Sequence, residues 1–377
     1  MRAVIWGTYD LGKPRNRILL RGLREAGVDV VEIHRQVWAG IEDKGAVTGL
    51  VARLKLLARW LGSYPSLVIR YLLAPPHDAV LVGYLGHLDV LVLYPFARLR
   101  GVPIVWDAFL SLYNTVVEDR RMIRSGNPIA WCLFAWEWLS CRAAHVVVLD
   151  TRAHADHFSK RYRLRRGKTA SILLGVELDA FAPASEPSRG EGATVLFYGQ
   201  FTPLHGVETI VRAAQHAYGE PIRWILIGEG QEAERARRIL AEAPANVEWI
   251  TWVDYEQLRL HIAAADVCLG VFGDTDKAAR VIPNKVYQVL AAGAPLVTRD
   301  CPAIRELLSP DMPGVYLIPP ADPEALAREV GRAVAEAATL SRPLHRDLLV
   351  RIAPDAVGSA LVSLLQSTCA VKRPRPA

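Results

Sequence analysis

The sequence predicts an α/β protein of two Rossmann-like, doubly wound domains in tandem. Three observations carry this. Short apolar runs such as Ala79–Val82 and His145–Leu149 suit strands buried on both faces of a parallel sheet. Longer helical stretches alternate with them, as in a sheet covered by helices. The alternation breaks at Pro183–Gly192 and then starts again, in a chain whose 377 residues suit two domains of the usual ~100–200.

Taken in order, Arg2–Gly7 reads as the first strand. Pro14–Ala26 reads as a helix, with Pro at its start and Gly27 just past its end. Strands are then expected at Val28–Ile33, Ala79–Val82, Pro103–Trp106 and His145–Leu149. The second series places strands at Thr194–Tyr198, Arg223–Ile227, Val247–Trp252, Val267–Phe272, Leu296–Thr298 and Val315–Leu317. Gln231–Glu242 and Glu324–Ala338 fit helices between them. A last helix near Pro354–Gln366 comes after the second domain's natural end and is free to return to the first. The expected bounds are 1–182, 193–345 and a returning segment 346–370. The tail Lys372–Ala377 reads as disordered. Two such domains would place a cleft between two sets of strand ends, where ligands of open α/β sheets bind. That architecture suits group transfer between two substrates.

Hydrophobic residues make up 51% and charged residues 22%, which excludes a disordered or collagen-like chain. The five cysteines are odd in number and include no C-x-x-C pair. They therefore read as free thiols of a reducing compartment rather than a zinc knuckle or a secreted framework. Ala79–Ala97 approaches the length of a membrane span, but Asp89 near its middle argues for a strand, a turn at Gly86 and a helix. The net charge of +6 is unevenly shared: residues 1–180 hold 25 Lys and Arg against 16 Asp and Glu, and the rest hold 20 against 23. Two basic segments, Val51–Leu61 and Lys160–Lys168, suit an anionic lipid surface, nucleic acid or a solvated face with no partner. No nucleic-acid motif accompanies them.

Four strand-to-helix segments carry the chemistry. Gly7–Arg17 holds Gly12 and Arg15 before a helix start, a place where backbone N–H groups attract phosphate. It is neither a P-loop nor G-x-G-x-x-G. Tyr198–Gly206 and Ile227–Glu232 are glycine-bearing loops. The fourth, Arg280–Pro295, is the strongest. Pro283 suits the first position of a helix of about ten residues, Gly293 suits its cap, and Lys285 lies in the first turn. A cation there opposes the helix dipole unless an anion shares the site. Gln288 lies one turn on, on the same side, so a diphosphate with its ribose would use both.

These segments, in this order, resemble family 4 of the retaining glycosyltransferases, which have the GT-B fold. The resemblance spans nearly the whole chain and is densest in residues 194–310. Gly199–Gly206 is similar to the family's G-R-x-x-x-x-K-G loop, and Arg280–Gly293 occupies the site of its E-x7-E motif. The loop's diphosphate-binding Arg and Lys are here Gln200 and His205, and the two glutamates are here Arg280 and Gln288. Gln288 keeps the capacity to bond ribose hydroxyls, whereas Arg280 suits phosphate or an acidic sugar. The resemblance implies a donor site of Gly12, Arg15, Gln200, His205, Gly206, Glu229, Arg280, Asn284, Lys285 and Gln288. Asp107, which follows a strand where the family often has His-Asp, would act with Lys285 as a catalytic residue.

The implied activity is a hexosyltransferase-type transfer from a nucleotide-diphosphate sugar to a hydroxyl, with retained configuration and without metal or cofactor. The implied acceptor is a lipid-linked or cell-envelope glycan intermediate, with the chain cytoplasmic and peripheral on the inner face of the plasma membrane. The alternative is a catalytically silent subunit that binds nucleotide or a partner, which the missing glutamates would favour. Asp274-Thr-Asp276 matches a metal-binding D-x-D but reads as a polar loop, and His154 and His157 read as surface histidines.

Overall fold

The alternation resolves into two six-stranded sheets in the computed structural model, which describes residues 1–40, 49–181, 192–337 and 339–372. Among the described residues every strand pair is parallel. The chain divides into two compact units, Met1–Gly175 with Pro354–Ala377, and Val176–Ala353. The segment expected at 183–192 lies outside the described residues up to 191, as does the tail from 373.

The first unit's strands are β1 (Arg2–Gly7), β2 (Asp29–His34), β3 (Ala79–Val82), β4 (Ile104–Phe109), β5 (Val146–Leu149) and β6 (Thr169–Ser171). Their order is β2-β1-β3-β4-β5-β6. The helices between them are α1 (Pro14–Glu25), α2 (Leu50–Leu61), α3 (Tyr64–Leu72), α4 (His87–Leu99), α5 (Pro128–Ala143) and α6 (Arg152–Arg161), with a π-helical turn at Asn114–Asp119. The apolar stretch from Ala79 divides as expected, into β3 and α4. Asp89 sits buried in α4's first turn, held by Thr8 and Tyr64. The three-residue β6 has no apolar run and was not foreseen.

The second unit carries β7 (Ala193–Tyr198), β8 (Ile222–Ile227), β9 (Val247–Ile250), β10 (Val267–Leu269), β11 (Leu296–Arg299) and β12 (Val315–Ile318), in the order β12-β11-β10-β7-β8-β9. Its helices are α7 (Leu178–Phe181), α8 (Val207–His216), α9 (Ala233–Glu242), α10 (Tyr255–Ala264), α11 (Asn284–Ala291), α12 (Pro323–Ala337) and α13 (Arg346–Ile352). Phe197, Trp224 and Leu269, with Val211 of α8 and Leu326 of α12, belong to one buried cluster.

The expected boundary at 345 shifts, because α13 belongs to the second unit. Only α14 (Pro354–Lys372) belongs to the first. It lies against α1, with Val357, Leu361 and Leu365 in the same buried cluster as Ile18, Leu19 and Leu23. The two helices cross at Gly22 and Gly358. A Cβ on Gly358 would stand 2.0 Å from the Gly22 carbonyl oxygen, so backbone meets backbone there. Arg346–Ala370 is long and apolar enough to cross a membrane, but Ala353 is extended between α13 and α14, and α14's apolar face is used on α1.

Candidate functional site

In the second unit the chain builds β7, β8 and β9 outward in one direction, then returns to lay β10 on β7's other side. That reversal opens a crevice outside the carboxyl ends of β7 and β10. β7 leaves its sheet through Gly199 (φ +129°) and a short loop to Gly206 (φ +64°), which precedes α8. A Cβ on Gly206 would stand 2.4 Å from the Gly273 amide nitrogen, in the loop that leaves β10. The loop leaving β8 joins them. A Cβ on Gly228 would stand 2.0 Å from the Gly199 carbonyl oxygen, and the Phe201 N–H donates to the Glu229 carbonyl at 2.8 Å. Three strand exits are thus laid backbone on backbone, which only glycine allows.

Lys285 stands over this meeting point. It is 5% exposed and lies in the first turn of α11. Its Nζ sits 3.6 Å from the centre of the Phe197 ring and would be 3.3 Å from a Cβ on Gly199. The amine has no hydrogen-bond partner among the described residues. Burial without a countercharge holds its pKa well below the usual lysine value. A buried amine left unsatisfied is costly, and the amides of Asn284 and Lys285 open α11 ahead of the Val286 N–H, which donates to the Pro283 carbonyl at 3.0 Å. An anion placed there would satisfy both.

The other expected residues are distributed around it. Gln288 is buried, and its side-chain oxygen lies 3.0 Å from the Tyr198 hydroxyl, which also lies 3.2 Å from the Lys285 carbonyl oxygen. His205 brings its ring within 3.4 Å of a Cβ on Gly199, with Nδ1 on the Gln200 carbonyl. Arg280 lies 3.6 Å from Asp276. Asn284 opens α11, which is eight residues long rather than ten. Pro283 is extended and caps the helix from outside. The Glu229 carboxylate is turned to Arg237 in a partly exposed ion pair. Phe197 and Tyr198, which support Lys285 and Gln288, were missed because they read as ordinary strand residues.

In the first unit the structure corrects two assignments. The Arg15 Nε and one terminal nitrogen clasp Asp107 at 3.0 and 2.7 Å, and its other nitrogen donates to the carbonyls of Ile172 and Leu173. Both side chains are buried, at 1% and 0% exposure. Burial pushes the Asp107 carboxyl up and Arg15 pulls it down. Arg15 therefore offers no fork to a phosphate, and Asp107 no carboxylate to a sugar. The signal was available only in space, since the two are far apart in sequence. Gly12 donates its N–H to Asp10 at 2.9 Å in a local turn.

Sequence reading also missed a buried carboxylate hub. Glu137 of α5 accepts from Ser111, Leu112 N–H, Tyr113 N–H and Tyr162, with His87 Nε2 at 3.1 Å. Burial pushes its pKa up, but these partners outweigh it and the net shift is downward. His154 is another correction. It is buried, with Nδ1 2.7 Å from Asp150, because α6 turns it inward. Among the described residues no group of three His, Cys, Asp or Glu is placed to hold a metal ion.

Residues 192–336 match the family described as Glycosyl transferases group 1. No curated protein matches the chain. Among solved structures, the sucrose-phosphate synthase of Thermosynechococcus elongatus is 19% identical with a TM-score of 0.68, over 98% of this chain and 99% of that one. Anabaena HepE, solved in complex with UDP, is 12% identical with a TM-score of 0.69, over 97% and 100%. The lipopolysaccharide outer core galactosyltransferase WaaB is 13% identical with a TM-score of 0.64, over 97% and 99%. The likeness to these structures is one of fold.

Proposed function

We propose that the chain, whose residues 192–336 match the family described as Glycosyl transferases group 1, is a retaining, metal-independent glycosyltransferase of GT-B fold. It transfers a sugar from a nucleoside diphosphate to a hydroxyl. The observation that carries the reading is the buried, unpartnered Lys285 amine over Gly199 at the second unit's switch point. A donor diphosphate seated there would restore the amine's charge and meet the Asn284 and Lys285 amides that open α11.

In the transfer, the bond from the anomeric carbon to the diphosphate breaks, and a bond to the acceptor oxygen forms on the same face. The acceptor proton passes to the departing phosphate. Charge gathers on that phosphate, where a preorganised cation and helix amides lower the barrier. Lys285 and Asn284 supply these, with His205 and Arg280 beside them. Gln288 lies one turn along α11, in reach of the ribose. Arg15 and Asp107 have no part, being bound to one another.

The acceptor belongs to a lipid-linked or cell-envelope glycan, at the cytoplasmic face of the membrane. The excess of basic residues in the first 180 supports this, as does the activity in WaaB's name. One observation favours the silent alternative: the Gln288 side-chain oxygen already has Tyr198 as a donor.

A thermal-shift panel with UDP, GDP, ADP and dTDP on wild type and Lys285→Met tests the site. A ligand at a hundred times its dissociation constant adds about 2.7 kcal/mol. One nucleotide raising the wild-type midpoint, and failing to raise the variant's, is the expected result. No shift with any of them removes the donor site. A shift without release of free nucleoside diphosphate from the matching sugar donor leaves the silent subunit.

A further inference from the structure

α2 is a helix with no buried residue. Leu50, Leu54, Leu57 and Leu61 are 73%, 54%, 44% and 49% exposed. Their spacing puts all four within an arc of about 60° at 100° per residue. Only Leu56 and Trp60, on another side of the helix, are half-buried. A stripe of four solvent-facing leucines is unusual on a soluble surface. Arg53 lies beside the stripe on one side and Lys55 further round on the other. Arg59 sits on the opposite face of the helix at about 100° per residue, and α2 holds no acidic residue.

Beside α2's last turn lies a cavity of about 500 Å³ lined by His34, Arg35, Gln36, Val37, Arg59 and Ser63, among others. Two guanidinium groups and no carboxylate belong to those six. Arg59 donates to the Gln36 carbonyl at 2.6 Å, which fixes its stem at the cavity wall. The other basic segment presents no apolar stripe, since Tyr162 is buried and Leu164 half-buried. Lys168 is turned onto the carbonyls of Arg142 and Ala144, and Arg161 pairs with Glu118.

We propose that α2 docks the first unit on an anionic phospholipid surface. The leucines enter the acyl boundary and Arg53 and Lys55 meet the headgroups, with Arg59 and the cavity turned away from the acyl boundary. An apolar stripe between cations is the pattern of a helix lying in a membrane interface. The leucine spacing would also suit a coiled-coil seam. Two copies of α2 would then bring cations against cations, where such seams use opposite charges. The proposal deepens the reading of a lipid-linked acceptor by naming the surface, but its test involves no nucleotide, so either can fail alone.

The test is co-sedimentation of the full chain with vesicles of phosphatidylcholine alone, or mixed with phosphatidylglycerol. Wild type is expected to pellet with the mixed vesicles, to stay in solution with neutral ones, and to be released by salt. Leu54→Ser with Leu57→Ser lowers binding about tenfold or more, from the apolar area withheld, with an unchanged melting midpoint because both side chains face solvent. Arg53→Glu with Lys55→Glu weakens binding to the anionic vesicles. Inorganic phosphate at equal phosphorus content competes weakly if a membrane is the partner, and fully if free phosphate is. Wild type remaining in solution, or pelleting no better than the leucine variant, overturns the proposal. So does a wild-type dimer that the leucine variant converts to monomer, which would assign the face to a second copy.

Discussion

At the scale of single residues, the buried cations Lys285 and Arg15 have opposite fates. Lys285 has no partner; Arg15 has all of its partners inside the protein. Between Lys285's lowered pKa and the ordinary lysine value near 10.4, the folded chain binds fewer protons than the unfolded one. Stability contributed by this group therefore rises with pH through that window. A diphosphate at the site would pull a proton back on. Calorimetric titration in two buffers of different ionisation enthalpy, at a pH above the lowered value, is expected to show proton uptake with nucleoside diphosphate. Lys285→Met should show none. Equal uptake in both would place the titrating group elsewhere. For Arg15 and Asp107, removing one partner strands a buried charge. Arg15→Met or Asp107→Asn should each cost about 3–5 kcal/mol, and the double change to Met and Leu much less, read from urea midpoints. A double-variant loss equal to the sum of the two single losses would mean that the pair is not coupled as its geometry implies.

At the scale of elements, α1 and α14 meet through Gly22 and Gly358, and two effects compete there. Replacing a helical glycine by alanine ordinarily gains about 1 kcal/mol. At Gly358 the new methyl would stand 2.0 Å from a backbone oxygen that cannot rotate away. Overpacking of this kind costs about 1–3 kcal/mol or more, so Gly358→Ala should lower the first unit's melting midpoint. A rise would show that the crossing relaxes freely.

Much at this scale was legible in the sequence. The apolar strands β1, β3 and β5 and the ends of α1 follow from composition and from Pro14 and Gly27. Boundaries that depend on sheet pairing were not: β9 ends at Ile250 and β10 at Leu269, each short of the apolar run, because the chain there leaves the ladder for a loop. The glycine loops and Lys285 were visible as strand–loop–helix motifs. The Arg15–Asp107 pair, the Glu137 hub and the inward turn of His154 were not, since each joins groups whose partnership exists only once the sheet or helix has formed.

At the scale of the molecule, the first unit is discontinuous in sequence and closes only when Pro354 onward returns to it. The second is continuous from Val176 to Ala353 and has its own core. A chain ending at Ala353 would strip Val357, Leu361 and Leu365 from the cluster around α1. Burying each contributes roughly 1.5–3 kcal/mol, a large fraction of a domain's ~5–15 kcal/mol. Scanning calorimetry of that chain should lose or sharply lower one transition and keep another near its full-length temperature. The surviving transition should still be raised by the nucleoside diphosphate that raises the wild type, because Lys285, Gly199 and Gly228 all lie in the second unit. Loss of both transitions would mean that the second unit depends on the first for its stability. Survival of both, with nucleotide shifting neither, would mean that α14 completes the nucleotide response rather than the first unit's core.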